Sequence, residues 1–515
     1  MRFARVLVAA ALLWSGTARA ADLRVGLAAD VTSMDPHFLN LQPNVNISWH
    51  VFDALTHVDE DARLIPGLAE SWRAVDATTW EFRLRRGVRF HDGAEFTAED
   101  AVFSIERTLL VANGQFRPFT QRITAKQVVD AHTLRLRTAT PYAMVPYDLN
   151  SVFIVSRKAA AGTRSEDFDS GKAMVGTGPF RFGRFARGDR IELSRNAAYW
   201  GAKSHWERVV FRIVPNDPAR LAGLLSRDLD AIEQIPTADL ARIRRDSGLE
   251  TAQRVSWRTI FFHLDQRHDG PAGLTDKAGR PLTSNPFRDL RVRQAVSRAI
   301  NRAAIAERLM DGAALPASNL VSPPVFGYAS DLKPDAYDPE GAKRLLADAG
   351  YPDGFAMTLS APNNRYVNDE QIAQAVAQML ARVGLRVRVE TMPINVYLSK
   401  GRNGEFAFAM LGWGSFSGDL ALRALVATAN PDKGFGAFNW SGYSNKAVDG
   451  LLERAFASVD EKRREALVRD AMRLAMRDYA VIPLHHQMAT WAMKKPLVYA
   501  PRTDEFTFAH HFHAQ

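Results

Sequence analysis

The 515-residue chain contains no cysteine. That absence excludes disulfides, thiol nucleophiles, thiolate metal sites and a lipid-bearing N-terminal cysteine. Long apolar runs are also missing. The longest near the N-terminus, Val6 to Trp14, is about nine residues, too short for a bilayer of ~30 Å. Basic residues are spread along the chain with no run longer than Lys462-Arg463-Arg464, which disfavours a nucleic-acid partner. Enzyme signatures are lacking too: there is no G-x-S-x-G elbow, H-E-x-x-H, Walker loop or dinucleotide fingerprint. Ser330-Asp331-Leu332-Lys333 matches S-x-x-K only by letters, because Pro334 follows and the partner motifs do not occur.

What is present begins with an export signal. Arg2 and Arg5 precede the apolar run, and Ala18-Arg19-Ala20 is a small-x-small cleavage pattern, so residues 1–20 read as a cleavable secretory signal peptide. A mature chain starting at Ala21 is expected to be soluble and, having no anchor, periplasmic. The formal charge of +9 falls by three once Arg2, Arg5 and Arg19 leave, and the remaining positive balance mildly favours anionic solutes. The length allows about three units of ~150 residues.

His91-Asp92-Gly93 resembles an acid/base pair, but its surroundings explain it as a turn. Trp80 to Leu84 alternates apolar and polar, Asp92-Gly93 is the strongest hairpin dipeptide, and Thr97 with Asp100 forms a capping box before a helix carrying Val102, Ile105 and Leu109. Elsewhere the first half mixes strands (Leu23 to Ala28, Thr133 to Arg137, Val209 to Val214) with a helix near Leu221. A Gly- and Pro-rich surface excursion is expected between Arg267 and Pro286.

The second half is more regular. A long amphipathic helix is expected within Asn285 to Met310, and another starts at Asp338-Pro339 and ends at Gly350. A strand at Ala356 to Ser360, a helix from Asn368 to Val383, and strands at Leu385 to Glu390 and Phe406 to Leu411 follow in β-α-β-(α)-β order, which predicts a parallel sheet. Helical patterns run through Leu451 to Phe456 and Leu467 to Met476, and Val481 to Leu484 reads as a strand crossing back to the first half.

Ligands of such sheets lie beyond the carboxyl ends of the strands. Two loops leave those ends, Ala361 to Tyr366 and Gly412 to Asp419. Arg365 offers a bidentate fork for a carboxylate or phosphate, and Trp413 a flat apolar wall. A solvated arginine and a core tryptophan are the alternative. His511 and His513 share a side if the tail is extended, a weak metal-site pattern set against simple solvation.

The stretches GLAESWRAVDATTWEFRLRRGVRFHDGAEFTAEDAVFSIER, VGTGPFRF, RNAAYWG, FRDLRVRQAVSRAINR, YDPEGAKRLLADAGY and FNWSGYSNKAVDGLLERA occur here in that order. Together they make the chain resemble, over nearly its whole mature length, the family 5 extracellular solute-binding proteins of ABC importers, of the dipeptide, oligopeptide and nickel type. The resemblance implies an α/β fold of two lobes on a hinge. Lobe I would span 21–262 plus 486–515, with a subdomain near 50–175, and lobe II 263–485. It also implies delivery of solute to a permease and ATPase, membrane contact only through that permease, a monomer, and no catalysis, cofactor or metal. By the same resemblance the ligand-binding set is Arg365, Tyr366, Trp413, Phe416, Asp419 and Met34.

Peptide-binding members place an aspartate for the peptide amine three residues after the loop tryptophan, where this chain has Phe416. The expected solute is therefore a peptide or peptide-sized molecule, with an anionic end and an apolar or aromatic body. A sensory or chaperone-like binding protein on the same fold remains open on sequence alone. A periplasmic hydrolase would need a nucleophile-base pair that Arg365, Trp413 and Asp419 do not supply.

Overall fold

The computed structural model describes residues 22–270 and 273–515, so the signal segment lies outside the described residues. Its spine is an eleven-stranded sheet. In the first lobe, Asp22–Leu27 pairs in parallel with Arg208–Ile213 and Ala231–Glu233. In the second, Ala356–Pro362 pairs in parallel with Arg386–Met392 and Phe408–Gly414. The parallel sheet expected in the second half is therefore present. Two long antiparallel strands, Leu249–Leu264 and Ile482–Lys494, join the two parallel sets.

This topology fixes where the loops point. Strand Ala231–Glu233 runs antiparallel to Ile482–Lys494, and Phe408–Gly414 runs antiparallel to Leu249–Leu264. The carboxyl ends of the two parallel sets consequently face each other. One set stops where Glu233 pairs with Trp491, the other where Gly414 pairs with Arg258. Gln487 to Thr490 span the interval, roughly 13 Å at ~3.3 Å per residue. A register shift between Val255 and Thr259 interrupts the long pair at that level.

Each lobe has its own core. Val25, Phe211 and Trp491 belong to the first, and Phe262, Leu359, Val376 and Phe408 to the second. The subdomain carries a four-stranded antiparallel sheet, Ala69–Asp76, Thr79–Leu84, Thr133–Thr138 and Ile123–Asp130. Its buried Phe82, Phe96 and Ile105 are continuous with Leu422, Val468 and Met472 of the second lobe, so the lobes touch in a closed arrangement.

Asp92-Gly93 is a turn. Gly93 has φ +88, the Phe90 N–H donates to Ala94 O, and Thr97 and Asp100 cap the helix Ala98–Leu110. His91 plays a structural part, since its Nε2 donates to Gly178 O at 3.1 Å while Nδ1 accepts the Gly176 N–H at 3.4 Å. The stretches RRGVRFHDG and VGTGPF are thus joined through one neutral imidazole.

The long helix expected from Asn285 to Met310 is broken. Only Leu290–Arg298 is a regular α-helix, followed by short turns at Arg302–Ala304 and Ile305–Leu309. Asn301 caps a new turn through the Ala304 N–H, and the Arg302 guanidinium folds back on Ser297 O, Ser297 Oγ and Pro483 O. Those contacts take up the carbonyl that a continuing helix would use.

Candidate functional site: the interlobe cleft

A narrow cleft opens between the facing strand ends. Its floor is Gln487 to Trp491; Glu233 and Glu505 line it from the first lobe, and Met310 and Val367 from the second. Three non-glycine residues at its rim hold left-handed backbone: Gln234 (φ +50), Asn368 (φ +55) and Glu505 (φ +65). Strain of this kind persists where surrounding structure enforces it, and it concentrates at ligand clamps. Asn368 Nδ2 donates to Thr237 Oγ1 across the lobes at 3.0 Å and to Leu309 O at 2.8 Å.

The loop after Ala356–Pro362 is held by Asp369, whose Oδ2 accepts the backbone N–H groups of Arg365 and Tyr366 at 2.9 and 3.0 Å. Tyr366 is buried and donates to Gly412 O at 3.1 Å. Arg365 lies over the Tyr366 ring at 5.6 Å. Its side chain is exposed and does not line this cleft, and no carboxylate among the described residues lies within ion-pairing distance of it. Desolvation, with a smaller effect from nearby Arg258, lowers its pKa from the ordinary value.

Arg258 is already neutralised. It grips Glu505 with Nε to Oε1 at 3.1 Å and Nη2 to Oε2 at 2.7 Å, while Ser256 Oγ donates to Oε1 at 2.6 Å. Burial opposes ionisation of Glu505, but Arg258 prevails and holds its pKa below the usual carboxylate range. Arg365 is therefore the cation left without a carboxylate partner.

The loop after Phe408–Gly414 is aromatic. Trp413 is half-buried against Phe438 at 4.8 Å, and Gly414 leaves room for Trp257, whose Nε1 would lie 2.6 Å from an added Cβ. Phe416 stacks on Tyr147 of the subdomain and lies 6.5 Å from Trp257.

None of the six residues expected from the sequence lines this cleft, and two of them, Asp419 and Met34, are buried in the interior. Asp419 is fully buried: it accepts from Ser417 Oγ and the Leu420 N–H, and lies 3.7 Å from Arg464, so it forms an internal ion pair and does not face the cleft. Met34 belongs to the first-lobe core. Ser33 Oγ and the Met34 N–H both bind Asp169 Oδ1, at 2.9 and 2.7 Å, which turns that loop inward. His511 is half-buried against Tyr499 and Phe508 while His513 is exposed, so the pair offers no common ligand face.

Glu233, Gln487, Arg258 and Glu505 were missed in the sequence. Glu233 obeys the same strand-end rule as Arg365, but its strand of three residues is too short for a periodic signal.

Comparison with known proteins agrees with this architecture. A sequence profile described as bacterial extracellular solute-binding proteins, family 5 Middle, matches residues 63–425. The dipeptide-binding protein of Escherichia coli (strain K12) is 30% identical over 450 residues, covering 81% of this chain and 79% of that protein. Heme-binding protein A of Haemophilus influenzae is 28% identical, covering 82% and 79%. The peptide-bound periplasmic binding protein DppA of Helicobacter pylori, described as ABC transporter-associated, superposes with a TM-score of 0.77 at 24% identity, covering 96% of this chain and 98% of that one. HbpA2 of Haemophilus parasuis superposes with a TM-score of 0.81 at 23% identity, covering 96% and 100%. The chain belongs to the family 5 bacterial extracellular solute-binding proteins, the solute-capturing components of ABC importers.

Proposed function

We propose that the protein, exported to the periplasm by its signal peptide and acting as a monomer, captures a small solute with an anionic group and an apolar or aromatic body. It passes that solute unchanged to a membrane permease and its ATPase. The observation that carries this reading is Arg365, an exposed guanidinium on the loop that leaves the carboxyl end of Ala356–Pro362, without a carboxylate partner among the described residues. A solute anion would supply the missing partner in a bidentate geometry. Relatives of this chain are named for binding dipeptide, heme and glutathione, and each of those molecules carries a carboxylate.

In this reading the hinge lies within the two long strands, at the register shift between Val255 and Thr259 and at the facing Gln487 to Thr490, a few residues before the 262/263 boundary expected from the sequence. A solute touching both lobes stabilises the closed state by its differential contacts. Phe416 leaves no carboxylate for a solute amine at the position peptide-binding members use.

The test is native mass spectrometry of the mature protein purified gently from periplasm, followed by isothermal titration of the solute that is released. An anionic solute whose affinity falls at least tenfold in Arg365→Ala is expected. A neutral solute, or binding unaffected by Arg365→Ala, would overturn the reading.

A further inference from the structure

The four-stranded sheet of the subdomain turns a charged face to solvent. Trp80, Phe82, Leu134 and Leu136 enter the core, so the alternate residues of the same two strands form the opposite face. The register brings Arg73, Glu81 and Arg135 into one row across three strands. Glu81 is 5% exposed and serves both guanidiniums: Arg73 Nε and Nη2 donate to Oε1 at 3.0 and 2.7 Å, and Arg135 Nε donates to Oε2 at 2.8 Å. Two further arginines flank that row. Arg83 stands between Ser71 and Thr133, and Arg137 between Thr79 and Ala125. Both are exposed, and among the described residues no carboxylate lies within ion-pairing distance of either. The nearby carboxylates do not balance them. Asp76 and Asp130 close turns at strand ends, accepting the Thr78 and His132 N–H groups at 2.7 Å each, and Glu70 lies in the bulge of the edge strand. Sheets gain stability by pairing opposite charges across strands, so an excess of one sign on a flat face is not explained by folding.

We propose that this face docks the protein on an anionic phospholipid surface, with Arg73, Arg83, Arg135 and Arg137 meeting headgroup phosphates. Guanidinium forks match phosphate oxygens, and each basic side chain near an anionic membrane adds to the attraction. The two central strands present only arginine, threonine and the covered Glu81 there, with no apolar anchor and no groove for an inserted side chain. A flat array of that kind suits a plane of headgroups, and the contact is electrostatic and reversible. Docking of this kind adds a direct membrane contact to the one made through the permease.

Flotation of the full mature chain with vesicles tests this, using phosphatidylglycerol and phosphatidylcholine in equal parts against phosphatidylcholine alone. Wild type is expected to bind the anionic vesicles at low ionic strength and to release as salt rises. Arg83→Glu combined with Arg137→Glu should lower the partition coefficient by about tenfold or more. Arg344→Glu combined with Arg386→Glu makes the same change in net charge at exposed second-lobe arginines, and should stay within about threefold of wild type. Urea midpoints equal to wild type show that both variants are folded. An equal loss in the two double variants would assign the binding to net charge and overturn the docking face. Wild type that ignores the anionic vesicles, or binds both kinds alike, overturns it too. Capture of polyglutamate without binding to vesicles would give the face to an acidic polypeptide and overturn the lipid surface.

Discussion

The ring of Phe416, from the second lobe, lies parallel to that of Tyr147, from the first, with centroids 6.1 Å apart and planes within 4°. The same Tyr147 donates its hydroxyl to Glu461 at 2.9 Å and carries Arg464 over its face at 4.2 Å. One short segment of the subdomain therefore meets three side chains of the second lobe, and the residue in the amine-pairing position acts as part of the closure surface.

Removing that ring should loosen the closed arrangement. An aromatic pair contributes ~1 kcal/mol beyond its buried area, so Phe416→Ala should move the open/closed balance roughly fivefold towards open. Small-angle scattering without added solute should show a larger radius of gyration than wild type. An unchanged radius would count against a closing role for the stack.

The Asp419–Arg464 pair makes the opposite kind of prediction, about stability. Both side chains are almost wholly buried, at 0% and 3% exposure. Asp419→Ala strands the Arg464 cation, and breaking a buried pair in this way costs about 3–5 kcal/mol. The urea midpoint should fall markedly, and a variant within ~1 kcal/mol of wild type would show that water reaches the pair.

His485 should be dispensable for stability. Both of its ring nitrogens are buried without a partner among the described residues, in the strand that crosses between lobes. An unsatisfied buried polar group costs ~1–3 kcal/mol, so His485→Leu should stabilise the fold by about 1 kcal/mol. A lower urea midpoint would mean that the imidazole has an unseen hydrogen-bond partner.

Acid should destabilise the protein within a defined window. Burial lowers His37, His50, His91 and His485 to about 4, and His263 and His486 to about 3, from an ordinary 6.5. The folded chain holds these rings neutral while the unfolded chain protonates them. Their contribution is complete above pH ~6.5 and is lost as pH falls towards 4, by up to roughly 3 kcal/mol for each group. Thermal scans should show Tm falling steadily from pH 6.5 to 4.5, with a shallower slope in His91→Gln. A flat profile would contradict the neutral, buried state of these rings.

Legibility followed the range of the forces involved. Asp92-Gly93 and the Thr97–Asp100 cap were readable because positive φ and capping are decided within a few residues. Arg365 was readable because strand order alone names the loops beyond the carboxyl ends. The break after Arg298 was not, since Arg302 reaches Pro483, far away in the chain. Met34 was misplaced for the same reason: Asp169 draws its loop inward from well over a hundred residues away.

By itself, then, the amino-acid order determined the family and the class of the fold, because each follows from local pattern or from many short motifs in series. The tertiary structure alone decided which charges meet. Whether a carboxylate meets a cation, as Asp419 and Glu505 do, or only neutral donors, as Glu233 does, depends on contacts between residues far apart in the chain that no periodicity encodes.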